Sequence, residues 1–315
     1  MSDLIFVCTR DDRLERLERD AEAWTAQPVL EGAGVQCVAA DETRVLVGTR
    51  ERGTLLSADA GETWEQIDLP EHNVMSVAIS AADGALYAGT EPSRLFVARD
   101  GVPWAELDSL QDVPSRDRWS FPPRPWTHHV RWIAPDPYRA ERLLVGIELG
   151  GVMATDDGGA TFSDHRPGAK LDAHSLVWHP HARDRTYQAA GDGAAWSRDG
   201  GRTWEPADAG RDLPYCWAVA VDPNDPDLWY VSAASGPAAA HSGRRARGRL
   251  YRWAGAWQSL PMPDDSMPYT LAVTDGELLA GMSDSRLLRS TDRGDSWEET
   301  GVQVGSITSM ATAFG

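Results

Sequence analysis

Short apolar runs alternate with Asp/Gly-rich turns along nearly the whole chain. The runs "VQCVAA", "RVLVGT", "GTLLSA" and "TWEQIDL" each read as one strand, and "VRWIAP", "LLVGIE", "GVMAT" and "ATFSD" repeat the same order further on. Short β-rich runs bounded by turn residues every ~8–12 positions predict all-β structure. No stretch carries a convincing helical period. An aromatic closes each group of strands, at Trp24, Trp64, Trp104, Phe162, Trp204, Trp257 and Trp297, in steps of 40, 40, 58, 42, 53 and 40 residues. A unit of about 40 residues is the length of a four-stranded propeller blade.

The pattern therefore predicts a seven-bladed β-propeller of four-stranded antiparallel blades in one domain. The boundaries are 1–32 plus 306–315 for blade 1, 33–70 for blade 2, 72–107 for blade 3 and 128–168 for blade 4. Blade 5 takes 171–209, blade 6 takes 213–261 and blade 7 takes 266–304. The two long steps are insertions, 108–127 between blades 3 and 4 and 232–249 after the second strand of blade 6. The last run, "SITSMATAF", is left over and supplies the strand that blade 1 lacks. Such closure removes an open sheet edge.

Composition narrows the function classes. The 315 residues carry a net charge of −18, which repels phosphate backbones and anionic lipid, so neither nucleic acid nor membrane is an expected partner. No run of 18 apolar residues exists, and the start MSDLIFVCTRDDR has no secretion signal. Cys8, Cys37 and Cys216 fit neither a zinc ribbon nor a disulfide framework. The expectation is a cytoplasmic monomer with reduced thiols.

One phrase recurs at blade spacing: "SADAGETW" from Ser57, "SRDGGRTW" from Ser197, "STDRGDSW" from Ser290 and the looser "TDDGGATF" from Thr155. A degenerate copy spans Asp100 and Trp104. Asp can accept backbone N–H bonds, Gly permits positive φ, Thr opens a strand and Trp fills the core. The phrase resembles the Asp-box, or BNR, repeat of sialidase-like propellers, with Asp59, Asp157, Asp199 and Asp292 as its aspartates. That resemblance extends to xyloglucan-cleaving glycosidases, sortilin-type receptors and the photosystem II assembly factor. It implies a structural role on the outer rim, away from the active face. The F/Y-R-I-P arginine motif of true sialidases is absent.

Function is sought instead where the loops entering first strands and leaving second strands share one face. The entries read Gln36, Met75, Arg131, His174, Trp217, Tyr269 and Thr308, and two positions earlier stand His129, Asp172 and Tyr215. The exits supply Arg10, Arg50, Glu91, Glu148, Asp192 and Asp284. Both insertions fall on this face, where insertions often mark binding. Convergent polar groups with aromatics define a candidate site at the mouth of blades 4 to 7.

Three chemistries fit. For a glycan-like polar or anionic small molecule, Tyr215, Trp217 and Tyr269 would stack, and Arg131 and His129 would hold polar groups. Glu148 and Asp172, or Asp192, would then serve as acid and base, with His174 moving protons; cleavage needs the two carboxylates roughly 5–9.5 Å apart. For a divalent metal cofactor, His129 and His174 would be ligands, with Glu148 or His128 beside them. For a non-catalytic protein scaffold, the basic run "GRRARGR" (243–249) would hold an acidic peptide. His179-Pro180-His181 falls in the turn after a first strand, on the opposite face, and reads as solvated turn histidines.

Overall fold

A computed structural model of the chain describes all residues except 1–2, 21–22, 100, 102, 123–126, 264–265, 275 and 314–315, and leaves the side chains of Asp3 and Arg244 undescribed. The strands form seven antiparallel sheets arranged in a ring. The innermost strands are Ile307–Ala313, Val35–Ala40, Val74–Ile79, Val130–Pro135, Ala173–Trp178, Tyr215–Asp222 and Pro268–Thr274, each packed against the next around the ring. Ile307–Ala313 pairs with Asp3–Thr9, so the C-terminal strand completes blade 1 and closes the ring. In blade 4 the outer edge is reduced to a bridge between Ala154 and Ser163.

The seven aromatics that set the period do one job. Trp64 packs with Phe6 and Leu55 between blades 1 and 2, and Trp204 with Leu144 and Ala195 between blades 4 and 5. Trp257 donates its indole N–H to the Ala207 carbonyl at 2.7 Å, joining blade 6 to blade 5. Large rings suit this role because each buries much apolar area where two twisted sheets face one another.

The repeated turn is a closed hydrogen-bond unit. In the copy at Ser57, Thr63 N–H and Oγ1–H donate to Asp59 Oδ1 and Oδ2 at 2.8 and 2.6 Å. The Ser57 hydroxyl donates to Asp59 at 2.7 Å and accepts Gly61 N–H at 2.8 Å. The looser copy is no looser in space: Thr161 bonds Asp157 at 2.9 and 2.7 Å, and Thr155 donates to Asp157 at 2.7 Å. Asp199 and Asp292 make the same set. These bonds hold the carboxyls of Asp59, Asp157 and Asp292 down at about 2. Gly201, at φ 78°, shows why glycine stands there: a Cβ would lie 2.8 Å from Leu144 of the preceding blade. Asp100 of the degenerate copy lies outside the described residues.

On the opposite face from the entries, His179 Nδ1 accepts the N–H groups of His181 and Ala182 at 3.0 and 2.8 Å. His181 Nδ1–H donates to the Pro223 carbonyl of the next blade at 2.9 Å. Both are structural fasteners, and His179 is buried rather than solvated as expected, because its ring closes the turn from inside.

Candidate functional site

A backbone device builds the site. In each inner strand the ladder skips one stretch next to the channel mouth, and the skipped residues include Gln36, Met75, Arg131, His174, Trp217, Tyr269 and Thr308. A β-bulge leaves its extra residue unpaired and re-aims its side chain. The seven entry positions aligned from the sequence are thus bulge positions. The exits are fixed as regularly: the N–H groups of Arg10, Arg50, Glu91 and Glu148 donate to the carbonyls of Ser306, Gly34, Asn73 and His129 at 2.9, 2.9, 3.0 and 3.4 Å.

Six of the seven bulge residues line one cavity of about 190 Å³ at the mouth, the exception being His174. Arg10 and Arg50 line it from the exits of blades 1 and 2, and His241 from the second insertion. The site is therefore wider than a mouth of blades 4 to 7. Arg10 donates to the Tyr269 hydroxyl at 3.0 Å, and Arg131 Nε stands 3.5 Å from Glu148 Oε2. Among the described residues neither Arg10 nor Arg50 has a carboxylate partner, in a chain of net charge −18.

The aromatic wall differs from expectation. Tyr215 is buried and does not line this cavity. Trp217 is surrounded: Arg131 lies over its ring at 5.3 Å, with His174, His241 and Tyr269 at 4.8, 5.2 and 5.3 Å between centroids. The Tyr269 hydroxyl donates to the Ala240 carbonyl at 2.7 Å, and Arg10 lies over its face. The expected stacking surfaces are largely spent on one another, because blades 5 to 7 crowd them together beneath the second insertion.

That insertion is ordered. Its helix Pro237–Ala240 sets Ala240 against Tyr215 and Met267, and the Ser283 hydroxyl donates to the Gly243 carbonyl at 3.2 Å. It walls the cavity rather than hanging over it. Within the basic run, Arg249 pairs with Asp212, while Arg245 and Arg247 are exposed. The first insertion lays Leu110, Val113 and Trp119 between blades 3 and 4, and Phe121 meets His129 edge-on. Its positions 123–126 lie outside the described residues.

Behind Arg131 and Trp217 lies an acidic cluster. His129 Nε2–H donates to Glu148 Oε2 at 2.6 Å. His174 Nε2 is 3.9 Å from Glu148 Oε1 and 3.7 Å from Asp172 Oδ2. The Tyr215 hydroxyl reaches His174 Nε2 at 3.3 Å. His129 and His174 are each 1% exposed and do not reach the cavity, contrary to the expected ligand-donor role of His129. His128 is held apart, facing Ser93 N–H through Nδ1 at 3.4 Å.

Burial raises Glu148, but the His129 hydrogen bond and the Arg131 charge outweigh it and bring the carboxyl down to about 2. Asp172 goes the other way: burial and the charges of Glu148 and Asp192 outweigh the Arg131 charge and a backbone hydrogen bond at Leu149 and push it up to about 7. Burial brings His174 down to about 4, so its ring is neutral. Both Asp192 oxygens accept backbone N–H groups, those of Leu171 and Asp172, each at 3.1 Å. Donor atoms of Glu148, Asp172 and His174 lie within 4.8 Å of one another, and among the described residues no such group includes His129. All three cysteines are free, and burial pushes Cys37 and Cys216 up to about 12, which removes them as nucleophiles.

Ring, closure and mouth define a seven-bladed β-propeller with its candidate site on the channel axis. Solved structures share that fold. The GH74 xyloglucanase from Xanthomonas campestris superposes with a TM-score of 0.72 at 18% identity, covering 100% of this chain and 52% of that one. An ancestral GH74 enzyme gives 0.65 at 16% identity, covering 98% and 39%. YCF48 bound to D1 peptide gives 0.58 at 16%, covering 85% and 81%. The chain spans about half or less of the GH74 enzymes' length. No protein-family model and no curated protein matches it.

Proposed function

We propose that the protein binds a small anionic molecule at the channel mouth through Arg10, Arg50 and Arg131. One observation carries the reading: three guanidinium groups border one cavity of about 190 Å³, and two of them have no carboxylate partner among the described residues. Guanidinium presents a planar fork of donors matched to carboxylate and phosphate. Arginines left unpaired beside a cavity, on a chain with 48 acidic and 30 basic residues, are groups an anion would complete. The Gln36 side-chain oxygen would accept from its neutral parts, and the volume suits a compact acid rather than an oligosaccharide.

Glycan cleavage has less support. Approaching atoms of Glu148 and Asp172 lie within 4.8 Å, below the ~6.5–9.5 Å of an inverting pair and nearer the ~5–5.5 Å of a retaining one. Both also stand in one wall, behind Arg131. The scaffold reading shares the arginines. A peptide carboxylate could enter the cavity, and the fold neighbour YCF48 is described as bound to D1 peptide.

The test is calorimetric titration with citrate, glucuronate, inorganic phosphate, glucose and an acidic peptide, on wild type, Arg10→Ala and Arg50→Ala. The reading expects heat from small anions in the wild type, lost in both variants, and none from glucose. Neutral sugar binding that ignores both substitutions would sink it. Binding of the peptide alone would move the assignment to a scaffold.

A further inference from the structure

The anion reading leaves Glu148, Asp172 and His174 without a task, and their geometry carries one. The His174 Nδ1 atom lies 2.6 Å from the Cys216 carbonyl oxygen. A carbonyl only accepts, so Nδ1 bears the proton and Nε2 turns a lone pair toward two carboxylates. Glu148 is oriented just as definitely. Its Oε2 is taken by His129 at 2.6 Å and by Arg131 at 3.5 Å, which leaves Oε1 facing His174. Asp172 contributes Oδ2, 3.7 Å from the same nitrogen, on a backbone clipped by Asp192.

Three electron-pair donors thus converge within 4.8 Å; the Tyr215 hydroxyl, 3.3 Å from Nε2, donates to that lone pair and would give way to an ion. Glu148 and Asp172 side chains are only 12% and 16% exposed, and the His174 side chain is fully buried. Acceptors gathered away from water are unfavourable together unless positive charge joins them, and the Arg131 guanidinium beside this cluster meets Glu148 Oε2 rather than the three converging atoms.

We infer that Glu148 Oε1, Asp172 Oδ2 and His174 Nε2 are the ligands of a divalent first-row transition ion of the manganese–zinc class. One imidazole and two carboxylates suit such an ion, whereas calcium takes about 6–8 oxygens and magnesium a nearly all-oxygen shell. The outer bonds are those a metal site uses: a histidine whose second nitrogen donates to a backbone carbonyl, and a carboxylate braced through its other oxygen. His129 then orients Glu148 and is not itself a ligand. The ion would stand one side chain behind the anion cavity, since Arg131 and Trp217 touch both.

The experiment strips the full chain with chelator, then titrates Mn²⁺ by electron paramagnetic resonance and Zn²⁺ by calorimetry. The expected result is about one ion per chain. Asp172→Asn, nearly isosteric, and Glu148→Gln should each weaken binding by at least about tenfold. Arg50→Ala should leave metal binding unchanged while abolishing anion binding, so failure of one reading is separable from failure of the other. A readout that needs no variant is Mn²⁺ broadening of ring signals, expected to be far stronger for His174 than for His179, five residues further along the chain. Absence of stoichiometric binding, unchanged affinity in both carboxamide variants, or broadening that spares His174 would each overturn the site. Calcium binding as tight as manganese would overturn the metal class.

Discussion

The rim turns and the channel mouth are both repeats, but they repeat different things. At the rim the residues themselves recur, and each aspartate's oxygens are saturated by its own turn. At the mouth only the backbone recurs. The same bulge presents Gln36, Met75, Arg131, His174, Trp217, Tyr269 and Thr308 in turn, seven different residue types. Repetition of identity builds the ring, and repetition of a position with changing chemistry builds a site. The proposed function rests on the second kind.

That contrast can be broken most forcefully at the interface both regions depend on. Gly89 faces the next inner strand, where a Cβ would lie 2.4 Å from Val130 Cγ1. Gly89→Val should cost about 3 kcal/mol by overpacking, read from urea unfolding, and should disturb rim and mouth together. At the rim, Asp199→Ala should lower stability by about 1 kcal/mol through lost hydrogen bonds, with anion titration unchanged. Asp157→Ala should destabilise as well, although its phrase matches less closely. If it does not, equal bonding does not mean equal stabilisation.

At the mouth the signature inverts. Arg50→Ala should stay within about 0.5 kcal/mol of wild type in unfolding while anion affinity falls at least about tenfold. Equal loss of stability and affinity would erase the distinction.

A smaller effect sharpens it by pH. Asp59, Asp157 and Asp292 sit near 2 in the fold against 3.8 ordinarily. A depressed folded-state value adds stability that is complete above about 3.8 and lost as pH falls through about 2. Carboxyl carbon NMR titration should find those midpoints, and ordinary ones would contradict the turn geometry. Least of all, thiol reagents should leave Cys37 and Cys216 untouched in the native state at neutral pH, because burial holds both near 12.

How much was legible follows from the range of the forces involved. The turn at Ser57 closes within eight residues, and the strands that follow it pair with near neighbours in sequence. Arg131 and Trp217 could be placed at the mouth because the period carries each bulge to a predictable position. Arg10 and Arg50 were visible as exits, yet their importance depends on a cavity assembled from both ends of the chain, as the bond from Arg10 to Tyr269 shows. His241 lies in an insertion without a repeat to index it. Tyr215, still paired in the ladder with Ala234, is buried, whereas Trp217 at the bulge two residues on reaches the cavity.

The sequence by itself determined the blade count, the rim turns, the closing strand and the face on which a site would lie, because each rests on contacts within one blade or on the blade's period. Only the tertiary structure decided which mouth residues meet. It put three arginines around one cavity, used the aromatics on one another, and drew Glu148, Asp172 and His174 together behind them. Those outcomes depend on side chains from different blades competing for the same few ångströms at the axis, and no pattern along the chain encodes that competition.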